Sequence, residues 1–191
     1  MESKLIFDLG VSRETINNLR VFENFVLKWS KALNLVSNGD RKKIWDRHII
    51  DCLQIYPLLP RKTYNYGDFG SGGGFPGIVL SILLNGAGHQ VSVHLVESDK
   101  RKSAFLRAVN RELGLKAAVY NKRIETLELS GLDVITARAL APLDNLLKLL
   151  SRHISKDTIC IFPKGENWKK EVQNAQKQWN FDLEVIKSKT Q

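Results

Sequence analysis

The sequence predicts a doubly wound, mostly parallel α/β sheet with a small N-terminal helical cap. Three observations predict it. A Gly-rich turn sits between a strand-like and a helix-like segment, short apolar runs then alternate with helical patterns, and two amphipathic helical segments precede both. The turn is Asp68-Phe69-Gly70-Ser71-Gly72-Gly73-Gly74-Phe75-Pro76-Gly77, followed at once by the apolar run Ile78 to Leu84. Glycine reaches positive φ and lets a ligand approach the backbone, and Pro76 suits the first turn of a helix, where its missing N–H is no loss. Strand, tight turn and helix in this order open a Rossmann-like domain, in which a nucleotide-like ligand lies across the strand ends.

The elements follow along the chain. Ser12 is placed to cap a helix running to about Leu33, because Ile16, Leu19, Phe22, Phe25, Val26, Trp29 and Leu33 recur at three- and four-residue steps. Asn34 to Gly39 reads as a connector. Asp40 is placed to cap a second helix carrying Ile44, Trp45, Ile49 and Leu53, which Pro57 and Pro60 end. Neither helix can bury its apolar face alone, so residues 1–60 are expected to pack as a cap on a core of residues 61–191. The core reads as strand Tyr64 to Phe69, although Asn65 and Gly67 are poor strand formers. Next come helix Pro76 to Asn85, strand Val91 to Val96, helix Asp99 to Leu113 closed by Gly114, and a strand near Ala117 to Tyr120. Strand Leu132 to Ala137 then leads through Arg138 and Pro142 into a helix from Leu143 to about His153. Strand Thr158 to Phe162, helix Asn167 to Trp179 and strand Phe181 to Lys187 complete the pattern, which implies right-handed parallel crossovers.

Composition narrows the function classes. Hydrophobic content of 43% and charged content of 26% are those of a globular protein. The central apolar run is far shorter than the roughly 20 residues of a membrane span, and Met1 to Gly10 has no signal-peptide core. Cys52 and Cys160, like His48, His89, His94 and His153, show no metal-ligand spacing, which predicts a reducing, cytoplasmic setting and no metal. Lys plus Arg is 29 against 20 Asp plus Glu, a net charge of +9. Lys100, Arg101, Lys102, Arg107, Arg111, Lys116, Lys122 and Arg123 face one acid in the same stretch, Glu112. That excess suggests a polyanionic partner, the alternative being a solvated helix face.

Charge also bears on the ligand of the turn. Gly72, Gly74 and Gly77 satisfy G-x-G-x-x-G, so a dinucleotide is one reading. Asp68 opposes it: a carboxylate at the strand end repels a pyrophosphate on the helix N-terminus and attracts the ammonium and sulfonium groups of S-adenosylmethionine. Glu97, closing the next strand, suits ribose hydroxyls, as it also would in a nicotinamide enzyme. Little chain remains for the second, substrate-binding domain that hydride transfer normally adds.

These residues together resemble the small bacterial 16S ribosomal RNA guanine-N7 methyltransferase family, also called glucose-inhibited division protein B. The resemblance runs from Leu33 to Gly165. It rests on Asn34-Leu35-Val36, Trp45-Asp46-Arg47-His48-Ile49-Ile50-Asp51, the turn Asp68 to Gly77, Arg111-Glu112-Leu113-Gly114-Leu115, Ala137-Arg138-Ala139-Leu140-Ala141-Pro142 and Lys164-Gly165. It implies a class I S-adenosylmethionine-dependent fold and transfer of methyl to N7 of a guanine in the 530 loop of 16S RNA. By matching position it implies cofactor contacts from Gly70 and Phe75, from Glu97, Ser98 and Asp99, from Ile124 and Glu125, and from Arg138; Asp68 and Gly72 join them on the reading above. The bases from Lys100 to Arg123 (Lys100, Arg101, Lys102 and Arg123 foremost, with Arg107, Arg111, Lys116 and Lys122), together with Lys164 and with Arg41, Lys42 and Lys43, are expected to hold RNA phosphates, and Phe75 and Trp168 are stacking candidates. The expected partner is 16S RNA or the small subunit, and the expected state a monomer.

The chain departs from the family in Asn65-Tyr66-Gly67-Asp68-Phe69, in Cys52 where serine is usual, and in ending one strand early, so the sheet is expected to lack its last strand. Guanine N7 carries a lone pair and no proton, so no general base is expected, and Arg138 and Lys164 are positioning candidates. His48 reads as a packing residue. A small-molecule methyltransferase and a non-catalytic ribosome-assembly protein remain alternatives.

Overall fold

The computed structural model describes residues 2–37 and 39–190, without the side chains of residues 2–4 and of Lys42. Helix α1 (Glu2–Asp8) was not anticipated by the sequence pattern; its Leu5 enters the main hydrophobic cluster. Helix α2 (Arg13–Trp29) begins as expected, with the Ser12 hydroxyl accepting from the Thr15 N–H at 3.1 Å. It stops four residues before Leu33, where hydrogen-bonded turns take over. Leu19, Phe22 and Val26 are wholly buried on one face.

The second expected helix is replaced by three short pieces. A 3₁₀ turn (Arg41–Lys43) is followed by a π-helical turn (Trp45–Ile49) and the single-turn α3 (Ile50–Leu53). Asp40 does not cap them; its carboxylate accepts from Ser37 and Arg47, both at 2.6 Å. The Ile50 N–H reaches the Trp45 carbonyl five residues back. Turns of this type are rare and recur at functional sites.

The core holds β1 (Asn65–Phe69), α4 (Gly77–Gly86), β2 (Ser92–Val96), α5 (Lys100–Glu112), β3 (Ala118–Tyr120), β4 (Val134–Thr136), α6 (Leu143–Leu150), β5 (Ile159–Ile161) and α7 (Trp168–Ala175). All four strand pairs are parallel, in the order β3-β2-β1-β4-β5. Side chains alternate across the sheet. Tyr66, Leu95 and Val134 join α2, α4 and α5 on one face, while Phe69, Val96 and Ile135 join Leu146 and Leu150 of α6 on the other. Both faces are covered, as a parallel sheet requires. The strand expected at 181–187 does not form. Leu183, Val185 and Ile186 are about half exposed, and residues 188–190 bond instead to Asp51 and Gln54 beside α3.

Strand order reverses between β1 and β4, and open α/β sheets bind ligands in the crevice at such a point. The Gly-rich turn lies there, with positive φ at Gly70, Gly72 and Gly74. Gly77 is required for a different reason: a Cβ there would strike the Asp68 carboxyl and Leu95. At Gly73 a Cβ would stand 2.8 Å from the Leu35 carbonyl oxygen, so the connector after α2 presses directly on the turn.

Candidate active site

A cleft of about 500 Å³ opens along the carboxyl ends of the strands. Beyond β3 it is lined by Ile124 and Glu125, beyond β2 by Glu97 and Ser98, beyond β1 by Gly70 to Gly73 and Phe75, and beyond β4 by Arg138, Ala139 and Leu140. Leu35, Val36 and Ser37 of the connector, with His48 of the π turn, supply the facing wall, and Lys102, Lys122 and Arg123 reach the rim. Eight of the ten residues expected to hold a cofactor therefore share one cleft.

Glu97 organises its centre. One carboxylate oxygen accepts from the Gly72 N–H at 2.9 Å and the other from the Asp99 N–H at 2.8 Å, locking the side chain between the Gly-rich turn and the start of α5. An ionised carboxylate has about four acceptor positions, so two remain for a ligand. The chain behind it is fixed as well: Ser103 Oγ and Asn121 Nδ2 both donate to the Glu97 carbonyl.

Asp68 and Asp99, expected among the cofactor contacts, do not line the cleft. Asp68 is 1% exposed and points beneath the turn. The Tyr66 hydroxyl donates to Thr136 Oγ1 at 2.7 Å, and Thr136 donates to Asp68 Oδ1 at 2.6 Å. Burial pushes the Asp68 carboxyl up to about 6, the Thr136 bond offsetting part of the effect. Its place after Gly67 gave its position along the strand but not which face it takes. Asp99 caps α5 by accepting from the Arg101 and Lys102 N–H groups at 2.8 and 3.0 Å, bonds that hold its carboxyl below its usual value.

The expected phosphate-binding residues divide. Lys102 and Arg123 line the cleft; Lys100 is exposed beside it, and Arg101 donates to the Ala32 carbonyl at 2.7 Å. Lys164 is half-buried and already paired within the protein. Its ammonium donates to the Ala141 carbonyl at 2.9 Å and pairs with Glu171 at 2.8 Å, and Glu171 also accepts from the first N–H of α6. Arg41 donates to the Ser30 carbonyl, Lys43 is exposed, and the Lys42 side chain lies outside the described residues. Trp168 opens α7 away from the cleft, and Phe75 is 8% exposed, its ring 5.1 Å from both Phe22 and His48.

Sequence reasoning missed the connector wall, the loop residues Ala139 and Leu140, and His48 as part of the lining. The signal was present: the blocks 34–36 and 45–51 had no assigned role, whereas Lys122 of the basic run does reach the rim. Ala139 has φ of 52°, a left-handed conformation uncommon for a residue with a side chain. His48 both packs and lines the cleft, and its Nδ1 lies 3.0 Å from an Arg138 Nη2. Burial first and the Arg138 charge second push the His48 pKa down, against the Asp40 and Asp51 carboxylates. Among the described residues no three His, Cys, Asp or Glu side chains gather as a metal site, and no helix is long and apolar enough to cross a membrane.

Comparison with known proteins agrees with this geometry. A family model described as GidB, rRNA small subunit methyltransferase G, matches residues 15–191. Relatives named ribosomal RNA small subunit methyltransferase G include one from a Ruegeria species, 45% identical over 96% of this chain and 89% of its own. Another, from Bartonella henselae, is 45% identical over 94% of this chain and 84% of its own. Among solved structures, a ribosomal protein methylase from Lactobacillus delbrueckii subsp. bulgaricus superposes with a TM-score of 0.58 at 18% identity, over 72% of this chain and 71% of its own. A SAM-dependent methyltransferase from Aquifex aeolicus gives 0.51 at 16% identity, over 72% of this chain and 84% of its own. Those two establish the class I methyltransferase fold, and the sequence matches establish the family: the chain belongs to the rRNA small subunit methyltransferase G family.

Proposed function

We propose that the cleft binds S-adenosylmethionine and that the protein transfers its methyl group to N7 of a guanine in the 530 loop of 16S ribosomal RNA. The observation that carries the cofactor is Glu97. A carboxylate pinned by two backbone N–H groups at the mouth of a Gly-rich turn accepts from ribose hydroxyls and repels a pyrophosphate lying on that turn. The cleft volume suits a ligand of nucleoside size. Ile124 supplies an apolar wall and Glu125 polar atoms for an adenine, Gly70, Gly72 and Phe75 let the ligand lie against the turn, and Arg138 can meet a carboxylate at the β4 end. The cofactor would supply an electrophilic sulfonium methyl.

The protein's part is placement. Guanine N7 presents a lone pair without a proton, so no side chain need remove one. Holding nucleophile and methyl in a near-attack geometry is worth up to roughly 7–11 kcal/mol. The target base must be unpaired or extruded to present N7 to a ligand held in the cleft. Lys102, Lys122 and Arg123 on the rim are suited to its phosphates. Lys100, Arg101 and Lys102 occupy the first turn of α5, where no acid accompanies them. Cations at a helix N-terminus oppose the macrodipole by roughly 0.3–1 kcal/mol each; here the Asp99 cap offsets part of that cost and Arg101 is bonded to the Ala32 carbonyl, which leaves Lys100 and Lys102 as the cations of this turn free to meet a phosphate. The names of the relatives point to small-subunit RNA as the substrate class. Incubation with labelled S-adenosylmethionine and either ribosomal RNA or a metabolite extract tests the reading. Label should enter RNA; label entering only small molecules would replace it with the small-molecule alternative.

A further inference from the structure

Arg138 is held by one short stretch of chain. Its Nη2 lies 3.0 Å from His48 Nδ1, 3.4 Å from the Arg47 carbonyl and 3.5 Å from Asp51 Oδ2, and its Nη1 lies 3.6 Å from Cys52 Sγ. His48, Asp51 and Cys52 are spaced so that a helical segment brings them to one side, and the π turn before α3 brings the Arg47 carbonyl to the same guanidinium. Arginine only donates, so His48 Nδ1 must accept, which puts the imidazole proton on Nε2. Burial first and the facing Arg138 cation second push the His48 pKa down, Arg47 adding to them and Asp40 and Asp51 opposing. Asp51 is anchored in turn from outside. Its Oδ1 accepts from Thr190 Oγ1 at 3.0 Å and Ser188 Oγ at 3.4 Å, while Gln54 accepts from the Lys189 N–H at 2.6 Å. No bond to Nε of Arg138 is present among the described residues, and the side chain lines the cleft.

We propose that His48 and Asp51 are positioning residues that fix the Arg138 guanidinium across the β4 end of the cleft, leaving Nε and an Nη1 N–H for the carboxylate of the cofactor's amino-acid end. The ligand assignment rests on the cofactor reading above; the cradle itself does not. The chemistry it needs is one neutral acceptor and one anion on a rigid turn, both supplied by residues 47–52. Segment 188–190 serves as the outer clamp on that anion.

The test is a coupling measurement. Calorimetry with S-adenosylmethionine compares wild type, His48→Leu and Asp51→Ala, each also in an Arg138→Ala background. Either substitution should weaken binding about tenfold when Arg138 is present and less than about twofold when it is absent, since contacting groups couple and separate ones add. His48→Gln, whose Oε1 can accept from Arg138, should recover most of the loss. Asp51→Asn, which keeps an acceptor for Thr190 but drops the charge, supplies the same comparison if a harsher variant fails to fold. Equal losses in both backgrounds, or no loss in either, would overturn the proposal. A ¹⁵N spectrum gives an independent readout: His48 should be the Nε2–H tautomer in wild type and lose that preference in Arg138→Ala. That tautomer in a wild type that does not bind S-adenosylmethionine would overturn the cofactor reading and leave the cradle standing. A His48 spectrum indifferent to Arg138 would overturn the cradle.

Discussion

Asp68→Asn tests whether the acid of the Gly-rich turn is scaffold or cofactor contact. In the folded protein the carboxyl is 1% exposed and burial pushes its pKa up to about 6, against an ordinary value of 3.8. The folded state therefore binds this proton more tightly than the unfolded state. Its stabilising contribution is fully present below about pH 4 and is lost as pH rises through about 6. A shift of about two units corresponds to about 3 kcal/mol, of which about 2 kcal/mol falls between pH 4.5 and 7.5. Asparagine does not titrate, so the difference in unfolding free energy, wild type minus variant, should fall by about 2 kcal/mol across that range. Urea denaturation at a series of pH values reads this slope. A constant offset from the amide's mismatch with Thr136 or Gly77 does not affect it. S-adenosylmethionine affinity at pH 8, measured on folded protein, should weaken by less than about tenfold, the scale of one uncharged hydrogen bond. A pH-independent difference in stability, or a loss of affinity approaching a thousandfold without a loss of stability, would refute the scaffold role.

Other outcomes follow from the same geometry. Glu97→Gln keeps one acceptor where two backbone N–H groups and a ribose now compete. Losing a charge-assisted bond should weaken S-adenosylmethionine binding by roughly 1.5–3 kcal/mol, and calorimetry within about threefold of wild type would show that Glu97 does not touch the ligand. Replacing Lys122 and Arg123 together by glutamine should reduce the log–log salt slope of RNA binding by roughly 0.7–0.9 per lost phosphate contact; an unaltered slope would make them a solvated face. Lys164→Gln should leave that slope alone and lower stability by about 1 kcal/mol, because its ammonium is already held by Glu171 and the Ala141 carbonyl, both half-buried. A change in slope with no change in melting temperature would return Lys164 to the RNA surface.

Periodicity and turn chemistry made most of the scaffold legible. Ser12, Gly114 and the Gly-rich turn mark element ends by local chemistry, and those ends appear where expected. Side-chain direction was not legible. Asp68, Asp99 and Lys164 each lie at a strand end near the ligand crevice, yet they face inward, cap a helix and strap α6 to α7. Only the pairing partners, Thr136, the α5 N–H groups and Glu171, decide this, and they are remote or conformational. Residues 41–53 failed as a single helix because an apolar pattern of three- and four-residue steps does not distinguish 3₁₀, π and α turns. Residues 181–187 alternate like a strand, but alternation supplies no partner, and the chain bonds to α3 instead. The connector wall escaped because a loop's value as a lining depends on the turn it presses against, here Gly73.

The most direct test of the central claim is identification of the methylated atom. Purified protein is incubated with S-adenosylmethionine and small-subunit particles or 16S RNA from cells lacking the modification, and the RNA is digested and analysed by mass spectrometry. The account predicts one 7-methylguanosine per RNA, in the 530 loop, and its disappearance with Glu97→Ala protein that still folds. Methylation at another base or another atom, or unchanged transfer by folded Glu97→Ala protein, would contradict it.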